Sequence, residues 1–359
     1  MHAGGLASNL LRLRPDLRVN GVGGARLRES GAELIQDTVS KARFGLTSFV
    51  RAGEVWSMLK ALRRRWESVG PPKLVVACDS WTMNKHVLAL AKDFGSRGMY
   101  YVSPQVWASR EGRVKRLAEL TDAVACILPF EEAWLRERGV NATFVGHPLF
   151  DHLPDPIAPP TPRYPDRPPR IALNAGSRVN TAKANLRGLA AAARELSSLY
   201  PGATFVSPAV PVTAPLVQGA LGSLAEVVVD RFDETVAGCD LALTVSGTAT
   251  LQTAAHGVPM VVVYHGSRLL WETIGKRIVK TRTFALVNLL HPRREHVADE
   301  IIPWNGDPAP VVASARRLLD DPEALRRQRR QLEEVVTPLR RRGAGESAAK
   351  IALSLIEAG

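Results

Sequence analysis

LALTVSGTATLQ, residues 241–252, is an apolar run that passes directly into small and hydroxylated residues. The run at 241–245 shows no polar alternation, which is typical of a strand covered on both faces. The residues at 249–256 follow a helical pattern. This stretch therefore predicts a buried parallel strand, a tight turn and a helix, the repeating unit of a doubly wound α/β fold.

Similar apolar runs alternate with helical patterns along the rest of the chain. They lie at 73–78, 98–102, 123–128, 143–145, 170–173, 204–206, 227–229 and 260–264, with helical patterns between them such as 182–198. The fold class is therefore α/β, with two doubly wound, Rossmann-like domains. Ligands of such folds bind at the carboxyl ends of the strands, and we expect them in a cleft between the two domains.

A proline-rich stretch divides the chain. Residues 154–169 contain eight prolines in sixteen residues, and proline fixes φ and lacks an amide donor. We predict a linker there, with domains over 1–153 and 170–340 and a C-terminal helix over 341–359. A helix at 3–13 precedes the first strand, 17–22, so the strand and glycine-rich turn that usually open such a domain are missing. Either Met1 lies inside a longer gene product, or this domain is trimmed.

The composition excludes several classes of protein. Lys and Arg outnumber Asp and Glu by 47 to 35, giving a net charge of +12 that favours anionic partners. No apolar run reaches the roughly 18 to 20 residues that span a bilayer. Three widely spaced cysteines cannot form a disulfide framework or a Cys-rich zinc site, and we expect a reducing, cytoplasmic compartment.

Two turns at predicted strand ends combine glycine with hydroxylated residues. They are Gly176-Ser177-Arg178 and Ser246-Gly247-Thr248-Ala249-Thr250. Backbone amides, hydroxyls and a helix N-terminus can bind a pyrophosphate, and a guanidinium grips a phosphate bidentately. Alone, the turn at 246–250 is equally compatible with an ordinary helix cap, and the turn at 176–178 alone favours a solvated arginine. Together they favour a nucleotide, although neither is a Walker A loop or a GxGxxG turn.

Two residues at strand ends of the first half are candidate site residues. Asp79 ends the run at 73–78, where a carboxylate suits a general base, or equally an N-cap for the next helix. His147 follows the run at 143–145, and a structural role at the domain hinge is favoured over a catalytic one.

Two basic segments have competing interpretations. Within 44–66, Phe49, Trp56, Leu59, Leu62 and Trp66 follow helical spacing, and Lys60, Arg63, Arg64 and Arg65 cluster at one end. Such a helix can contact a membrane surface, or its apolar side can face the protein core. The basic run at 326–342 could bind nucleic acid by charge, but interleaved acids and the absence of an aromatic platform favour a solvated helix.

Several segments together resemble the lipid-A-disaccharide synthase family of bacterial GT-B glycosyltransferases. They are YVSPQVWASREGRVK at 101–115, LPFE at 128–131, FVGHPL at 144–149, GVGG at 21–24, GSR at 176–178, SGTATL at 246–251, GVPMVV at 257–262 and VNLL at 287–290. Their order and spacing cover nearly the whole chain.

The resemblance implies a GT-B fold, whose two domains face each other across a cleft, and a defined reaction. The family joins UDP-2,3-diacylglucosamine to 2,3-diacylglucosamine 1-phosphate, releasing UDP and forming the β-1,6-linked disaccharide of lipid A, a constituent of the Gram-negative outer membrane. It needs no metal or organic cofactor. The C-terminal domain holds UDP, and the N-terminal domain faces the acceptor and the inner membrane. Family members associate peripherally with membranes and can form dimers through exchanged C-terminal segments.

Site residues follow from the matching motifs. Asp79 is the candidate base. The donor site would comprise Gly176, Ser177, Arg178, Ser246, Gly247, Thr248, Ala249, Thr250, Gln252 and Asn288. The acceptor side would comprise Gly23, Gly24, Asn84, Ser103, Pro104, Trp107, Arg110 and His147. Membrane contact is expected at Phe49, Trp56, Leu59, Arg63 and Arg64.

The sequence departs from the family pattern at several positions. Where the family reads IDAPDFN, residues 78–84 read CDSWTMN, so Asp79 keeps one carboxylate and Thr82 replaces the other. Gln252 stands in place of the glutamate of SGTATLE. We predict a lipid-A-disaccharide synthase; the alternatives are a divergent UDP-N-acetylhexosamine transferase or epimerase, and a catalytically silent binding protein.

Overall fold

The computed structural model describes residues 2–37, 48–107, 112–153, 164–266, 283–293 and 295–358, without the side chains of residues 48–52 and 54. The chain divides into two compact units. The first is Met1–His152 with Arg340–Gly359, and the second is Leu153–Leu339. Residues 154–163 of the predicted linker lie outside the described residues.

The described residues form parallel strands and helices in alternation. The strands are β1 Asn20–Gly23, β2 Glu33–Asp37, β3 Leu74–Cys78, β4 Arg97–Tyr101, β5 Ala123–Cys126, β6 Ala142–Phe144, β7 Arg170–Asn174, β8 Thr204–Ala209, β9 Glu226–Val229, β10 Leu241–Val245, β11 Met260–His265 and β12 Glu300–Trp304. The α-helices are α1 His2–Leu13, α2 Ala25–Glu29, α3 Ser48–Val69, α4 Trp81–Asp93, α5 Arg113–Leu120, α6 Pro129–Arg136, α7 Val179–Leu199, α8 Ala214–Leu221, α9 Phe232–Ala237, α10 Thr248–Ala255, α11 Leu286–Leu289, α12 Pro308–Leu319, α13 Pro322–Val336 and α14 Ala344–Glu357.

The first unit contains a four-stranded parallel sheet in the order β3-β4-β5-β6, and β1 and β2 form a separate parallel pair. Both faces of the larger sheet are covered, as the apolar runs predict. Along β4, Met99 and Tyr101 face α1 and α14, whereas Tyr100 faces the cluster that contains Trp81 and Leu117. This alternation follows the two-residue period of a strand.

The C-terminal helix belongs to the first unit because its N-terminus is held there. Asp151 accepts hydrogen bonds from the amides of Gly343, Ala344 and Gly345, at 2.8 to 3.1 Å. The carboxylate thus satisfies the unpaired amides at the start of α14 and opposes the positive end of its dipole. Ala348 and Ala352 then pack into the same apolar cluster as α1.

The second unit is one six-stranded parallel sheet in the order β12-β11-β10-β7-β8-β9. From β7 the chain adds β8 and β9 on one side and then returns to place β10 on the other side of β7. The direction of strand addition therefore reverses between β7 and β10, and such a reversal opens a crevice at the carboxyl ends of the two strands.

The predicted fold class is confirmed, and each predicted strand has an observed counterpart. Two strands were not predicted. β2 has the sequence ELIQD, in which two acidic ends and Gln36 leave only two apolar residues, and β12 contains Pro303. Proline and charge both weaken the signal of a buried strand.

Helix α7 approaches β12 closely at a glycine. A methyl group at Gly188 would overlap the indole ring of the fully buried Trp304 and lie 2.8 Å from the Cα atom of Gly306. The smallest residue is therefore needed for this helix to pack on this strand.

We expect Gly188→Ala to lower the free energy of unfolding by about 1 to 3 kcal/mol, because the core around Trp304 has no room for the added methyl group. Gly219→Ala on α8 is the matched control, since its added methyl group meets nothing within 4 Å. It should be neutral or stabilising by up to about 1 kcal/mol. Urea unfolding of both variants measures the difference, and equal effects would contradict this account.

Candidate functional site

The two predicted phosphate-binding turns lie side by side in the second unit. They follow the adjacent strands β7 and β10, which pair from Leu241 opposite Ile171 to Thr244 opposite Asn174. The Asn174 amide donates to the Thr244 hydroxyl at 2.9 Å in the core between them. Gly176, at φ 100°, then passes so close to Val245 that a Cβ atom there would lie 3.1 Å from its methyl group. Both turns therefore open at the switch point of the sheet.

The turn before α10 uses two of its hydroxyls internally. Thr250 is fully buried, and its hydroxyl donates to the Gly247 carbonyl at 2.8 Å. The Ser246 hydroxyl donates to the Phe284 carbonyl at 3.1 Å. The hydroxyl of Thr248 is exposed instead. The role of this turn in binding a phosphate stays a prediction, and Thr248 is its exposed hydroxylated residue.

Gly247 sets the geometry of this turn. Its φ of 139° is in the region that favours glycine, and it occupies the N-cap of α10. In the neighbouring turn Ser177 and Arg178 are exposed. The exposed residues Ser177 and Arg178 thus lie on the turn beside the one that opens α10, where the helix dipole favours an anion.

Asn288 supports the loop that contacts Ser246. Its side-chain amide is buried, donates to the Ala298 carbonyl and the Glu300 carboxylate, and accepts from the Ala298 amide. Glu300 also accepts from the amides of Phe284 and Ala285. These contacts hold residues 284–288 in place, and the role of Asn288 in the donor site stays a prediction.

Gln252 contacts an acidic residue that the sequence did not single out. Its amide nitrogen donates to Asp233 Oδ1 at 2.9 Å, and His256 Nε2 lies 2.7 Å from the same oxygen. Burial by itself would raise the pKa of Asp233, but the hydrogen bonds from His256 and Gln252 outweigh it and hold that pKa below its usual range.

In the first unit, two strand ends bend through unusual backbone. Asp79 after β3 and Val102 after β4 both have a φ of 63°. The Tyr100 hydroxyl donates to the Asp79 carbonyl at 2.7 Å, and the Asn84 amide donates to the Cys78 carbonyl at 2.8 Å. Asn84 is buried, so it holds the strand end, whereas Asp79 is exposed. A β-branched residue such as Val102 in this region costs about 1 to 3 kcal/mol, and such strain is concentrated at functional sites.

The segment after β4 is anchored by a buried carboxylate. Ser103 and Pro104 are buried, and the Trp107 indole donates to Glu131 Oε1 at 2.9 Å. Burial raises the pKa of Glu131 to about 7, against hydrogen bonds from Trp107 and from the amides at 127 and 128. The two family-like segments at 101–115 and 128–131 are therefore in direct contact. Arg110 lies outside the described residues.

Glycines 23 and 24 have a packing explanation. Gly23 ends β1, and a Cβ atom there would lie 3.0 Å from the side chain of Leu27 on α2. Gly24 is the N-cap of α2 in an extended conformation. Gly23 therefore lets this short helix lie close to the strand.

His147 is buried beside a cavity of about 300 Å³ in the first unit. Among the cavity's lining residues are His2, Tyr101, Asp151 and His152. The Leu149 amide donates to His147 Nδ1 at 3.2 Å, so that nitrogen must be unprotonated. Burial, aided by the nearby His2, lowers the pKa of His147 to about 4. These contacts are those of a structural histidine next to a polar cavity.

Helix α3 divides the predicted membrane-contact residues. Leu62 and Trp66 are buried with Leu90, and Leu59 packs against this cluster, so these three contribute to the core. Trp56 is 65% exposed, and Arg63 and Arg64 are also exposed. The side chain of Phe49 lies outside the described residues.

The described residues contain no helix that is long and apolar enough to cross a bilayer. The same part of the chain contains no group of three or more His, Cys, Asp or Glu side chains arranged to bind a metal ion.

Solved structures with this architecture include a UDP-GlcNAc 2-epimerase and a glycosyltransferase. The Staphylococcus aureus MnaA–UDP structure superimposes with a TM-score of 0.62, at 17% identity over 99% of this chain and 94% of that one. UDP-GlcNAc 2-epimerase from Neisseria meningitidis bound to UDP-GlcNAc gives 0.61, at 14% identity over 99% and 96%. The calicheamicin glycosyltransferase CalG4 gives 0.60, at 18% identity over 99% and 94%. The fold is that of the GT-B glycosyltransferases and the UDP-GlcNAc 2-epimerases.

Sequence relatives identify the family within this class. The lipid-A-disaccharide synthetase family model matches residues 1–355. Lipid-A-disaccharide synthase from Geobacter metallireducens is 33% identical over 99% of this chain and 94% of its own length. The enzyme from Anaeromyxobacter dehalogenans is 35% identical over 96% and 91%. The chain belongs to the lipid-A-disaccharide synthase family of glycosyltransferases, which confirms the resemblance seen in its motifs.

The buried His147 should make the first unit less stable in acid. The unfolded imidazole has a pKa near 6.5 and takes up a proton below that pH, whereas the native imidazole, with a pKa of about 4, does not. The stability contributed above pH 6.5 is therefore lost as the pH falls toward 4. Between pH 7 and pH 5 this loss amounts to about 2 kcal/mol.

We expect His147→Asn, whose amide oxygen can accept from the Leu149 amide, to remove this part of the pH dependence. His152→Asn, at an exposed neighbour, should leave it unchanged. Urea unfolding at pH 7 and pH 5 compares the two variants with the parent chain. A parent-like loss of stability in His147→Asn would show that other groups cause it.

Proposed function

We propose that this chain condenses UDP-2,3-diacylglucosamine with 2,3-diacylglucosamine 1-phosphate, giving lipid A disaccharide 1-phosphate and UDP. The observation that carries the proposal is family membership over residues 1–355, and the two glycine- and hydroxyl-containing turns that are adjacent at the switch point support it. Two structural neighbours determined with UDP or UDP-GlcNAc support a UDP-sugar in a site of this fold.

The donor diphosphate would bind at the start of α10. The exposed Thr248 hydroxyl and free backbone amides there can donate to its oxygens, and the Arg178 guanidinium can pair with it bidentately. These groups matter most when the sugar–phosphate bond breaks, because negative charge then develops on the departing UDP. They would thus lower the barrier without a metal ion.

Asp79 is our proposed general base. In the reaction the acceptor 6-hydroxyl oxygen bonds to C1 of the donor sugar, the bond from C1 to the diphosphate breaks, and the hydroxyl proton passes to the base. Asp79 is exposed at the carboxyl end of β3, and its backbone is fixed by the hydrogen bond from Tyr100. Thr82, at the second acidic position of the family motif, has no carboxylate to offer.

We also propose peripheral contact with the inner membrane and assembly as a homodimer. The exposed Trp56, with Lys60 over its ring at 4.9 Å, and the exposed Arg63 and Arg64 form a patch suited to anionic headgroups. If two copies exchanged their C-terminal segments, α14 of each copy would pack on α1 of the other copy instead of on its own α1.

A disaccharide-forming assay tests the reaction. With detergent-dispersed substrates, mass spectrometry should detect the disaccharide 1-phosphate from the parent chain. Asp79→Asn should reduce turnover by about 10²- to 10⁴-fold, the range for loss of a general base, while UDP binding persists. Asp93→Asn, at the exposed far end of α4, is the matched control and should keep full turnover.

Each result of this assay has a distinct meaning. Parent-like turnover in Asp79→Asn would assign the base to another group. No disaccharide from a folded chain that binds UDP would reject the proposed acceptor and favour a divergent transferase or a silent binding protein.

A vesicle assay tests the membrane patch. The double variant Arg63→Glu/Arg64→Glu should sediment with anionic phospholipid vesicles at least about tenfold less than the parent, because each basic residue contributes roughly 1 kcal/mol near such a surface. Arg187→Glu/Arg194→Glu on α7 makes the same charge change at exposed sites of the second unit. If both double variants lost vesicle binding equally, the loss would be due to net charge and not to the patch on α3.

A further inference from the structure

Asp233, Gln252 and His256 form a polar cluster that joins α9 to α10 in the second unit. Gln252 and His256 both direct a nitrogen at the same carboxylate oxygen, Oδ1, at 2.9 and 2.7 Å. Among the described residues, none donates a hydrogen bond to the other oxygen, Oδ2. His256 is buried, whereas the Asp233 side chain is 38% exposed. Oδ1 of Asp233 is therefore held by Gln252 and His256, and Oδ2 remains available to accept a hydrogen bond.

The adjacent acidic residue on α9 behaves differently. Glu234 is paired with Arg231 through a hydrogen bond of 2.7 Å, and both side chains are about two-thirds exposed. Glu234 thus forms an ordinary surface ion pair, which contributes little to stability. Asp233 instead has two nitrogen donors, from Gln252 and His256, on one oxygen, and no Arg or Lys among the described residues pairs with it.

The place of this cluster relative to the diphosphate site follows from helix geometry. Gln252 lies four residues after Thr248 on α10, so the two side chains share one face and are about one turn, roughly 5.4 Å, apart along the axis. In a nucleoside diphosphate the ribose is bonded directly to the first phosphate. A diphosphate at Thr248 therefore brings ribose hydroxyls within reach of the polar cluster around Gln252.

We propose that Asp233 Oδ2 accepts hydrogen bonds from the ribose hydroxyls of the bound nucleoside diphosphate, and that Gln252 and His256 position this carboxylate. The inference rests on the proposed function, since it assumes that a diphosphate binds at the start of α10. Gln252 is neutral where the family motif has glutamate. In this chain the negative charge lies on Asp233 of α9, and a hydrogen bond from the Gln252 amide joins this carboxylate to α10.

A carboxylate is the suitable acceptor for two adjacent hydroxyls. Ionised acceptors make hydrogen bonds about twice as strong as neutral ones, and the hydrogen bonds from His256 and Gln252 favour the ionised form of Asp233. A neutral amide at 252 alone would give weaker recognition. Asp233 therefore restores selectivity for ribose that the substitution at 252 would otherwise reduce.

Calorimetric titration of the full chain with UDP and with 2′,3′-dideoxy-UDP tests the proposal. The parent should bind UDP about tenfold more tightly than the dideoxy analogue. Asp233→Asn should bind UDP about tenfold less tightly than the parent and bind the analogue unchanged, so that the preference disappears. Glu234→Gln is the control, because it removes one negative charge from the same helix and should keep the preference.

A double variant separates recognition from a structural role. Asp233→Asn/Gln252→Glu moves the carboxylate onto α10 while an amide–carboxylate hydrogen bond between the two positions can still form. It should regain the preference for UDP over the dideoxy analogue. A residue that only stabilised the fold would not give this rescue.

The outcomes distinguish this inference from the function on which it rests. A folded parent chain that does not bind UDP would contradict the proposed function. A parent that binds UDP and the dideoxy analogue equally well would overturn the role of Asp233, even if Asp233→Asn fails to fold. A preference retained in Asp233→Asn would overturn it as well, and the proposed reaction would stand in both cases.

Discussion

The parallel pairing of β7 with β10 is the constraint on which the nucleotide-binding half of this protein depends. These two strands are neighbours in space but lie far apart in the chain, because β8 and β9 are added on one side before the chain returns. The turns that follow them are consequently forced together. The hydrogen bond between Asn174 and Thr244 and the close approach of Gly176 to Val245 fix their spacing. The exposed amides, Thr248 and Arg178 converge only because this pairing is in place.

In the first unit, backbone bends after β3 and β4 define the edge of the sheet. Its candidate base follows β3 in left-handed backbone, and Val102 repeats this conformation after β4. Neither bend is favoured by the residue that adopts it, so the surroundings must impose it. The buried residues Tyr100, Asn84 and Glu131 do so through hydrogen bonds with the strand end or with the following segment. Rigid, buried polar groups thus support an exposed carboxylate, as expected for a preorganised site.

The sequence predicts this fold well because most of its strands are apolar without alternation. The sequence does not predict β2 and β12, because charged residues or a proline accompany their apolar residues. Site residues are harder to predict, because hydroxyls such as Ser246 and Thr250 satisfy nearby carbonyls first. On α3 the helical spacing is correct, but it cannot show that Leu62 and Trp66 face the core while Trp56 faces solvent. The contacts of Glu131, Glu300 and Asp233 join segments that local patterns do not connect.

The cluster around Asp233 shows why a departure from a motif is weak evidence for lost function. A binding site responds to the position and charge of an atom in space, and several backbone positions can place a carboxylate near the same point. Gln252 lacks the charge but has a donor that a glutamate lacks, and it uses this donor to hold Asp233 on the preceding helix, α9. His256 completes the arrangement from the buried side. The cost of the substitution at 252 to ribose recognition therefore depends on Asp233 as well as on Gln252.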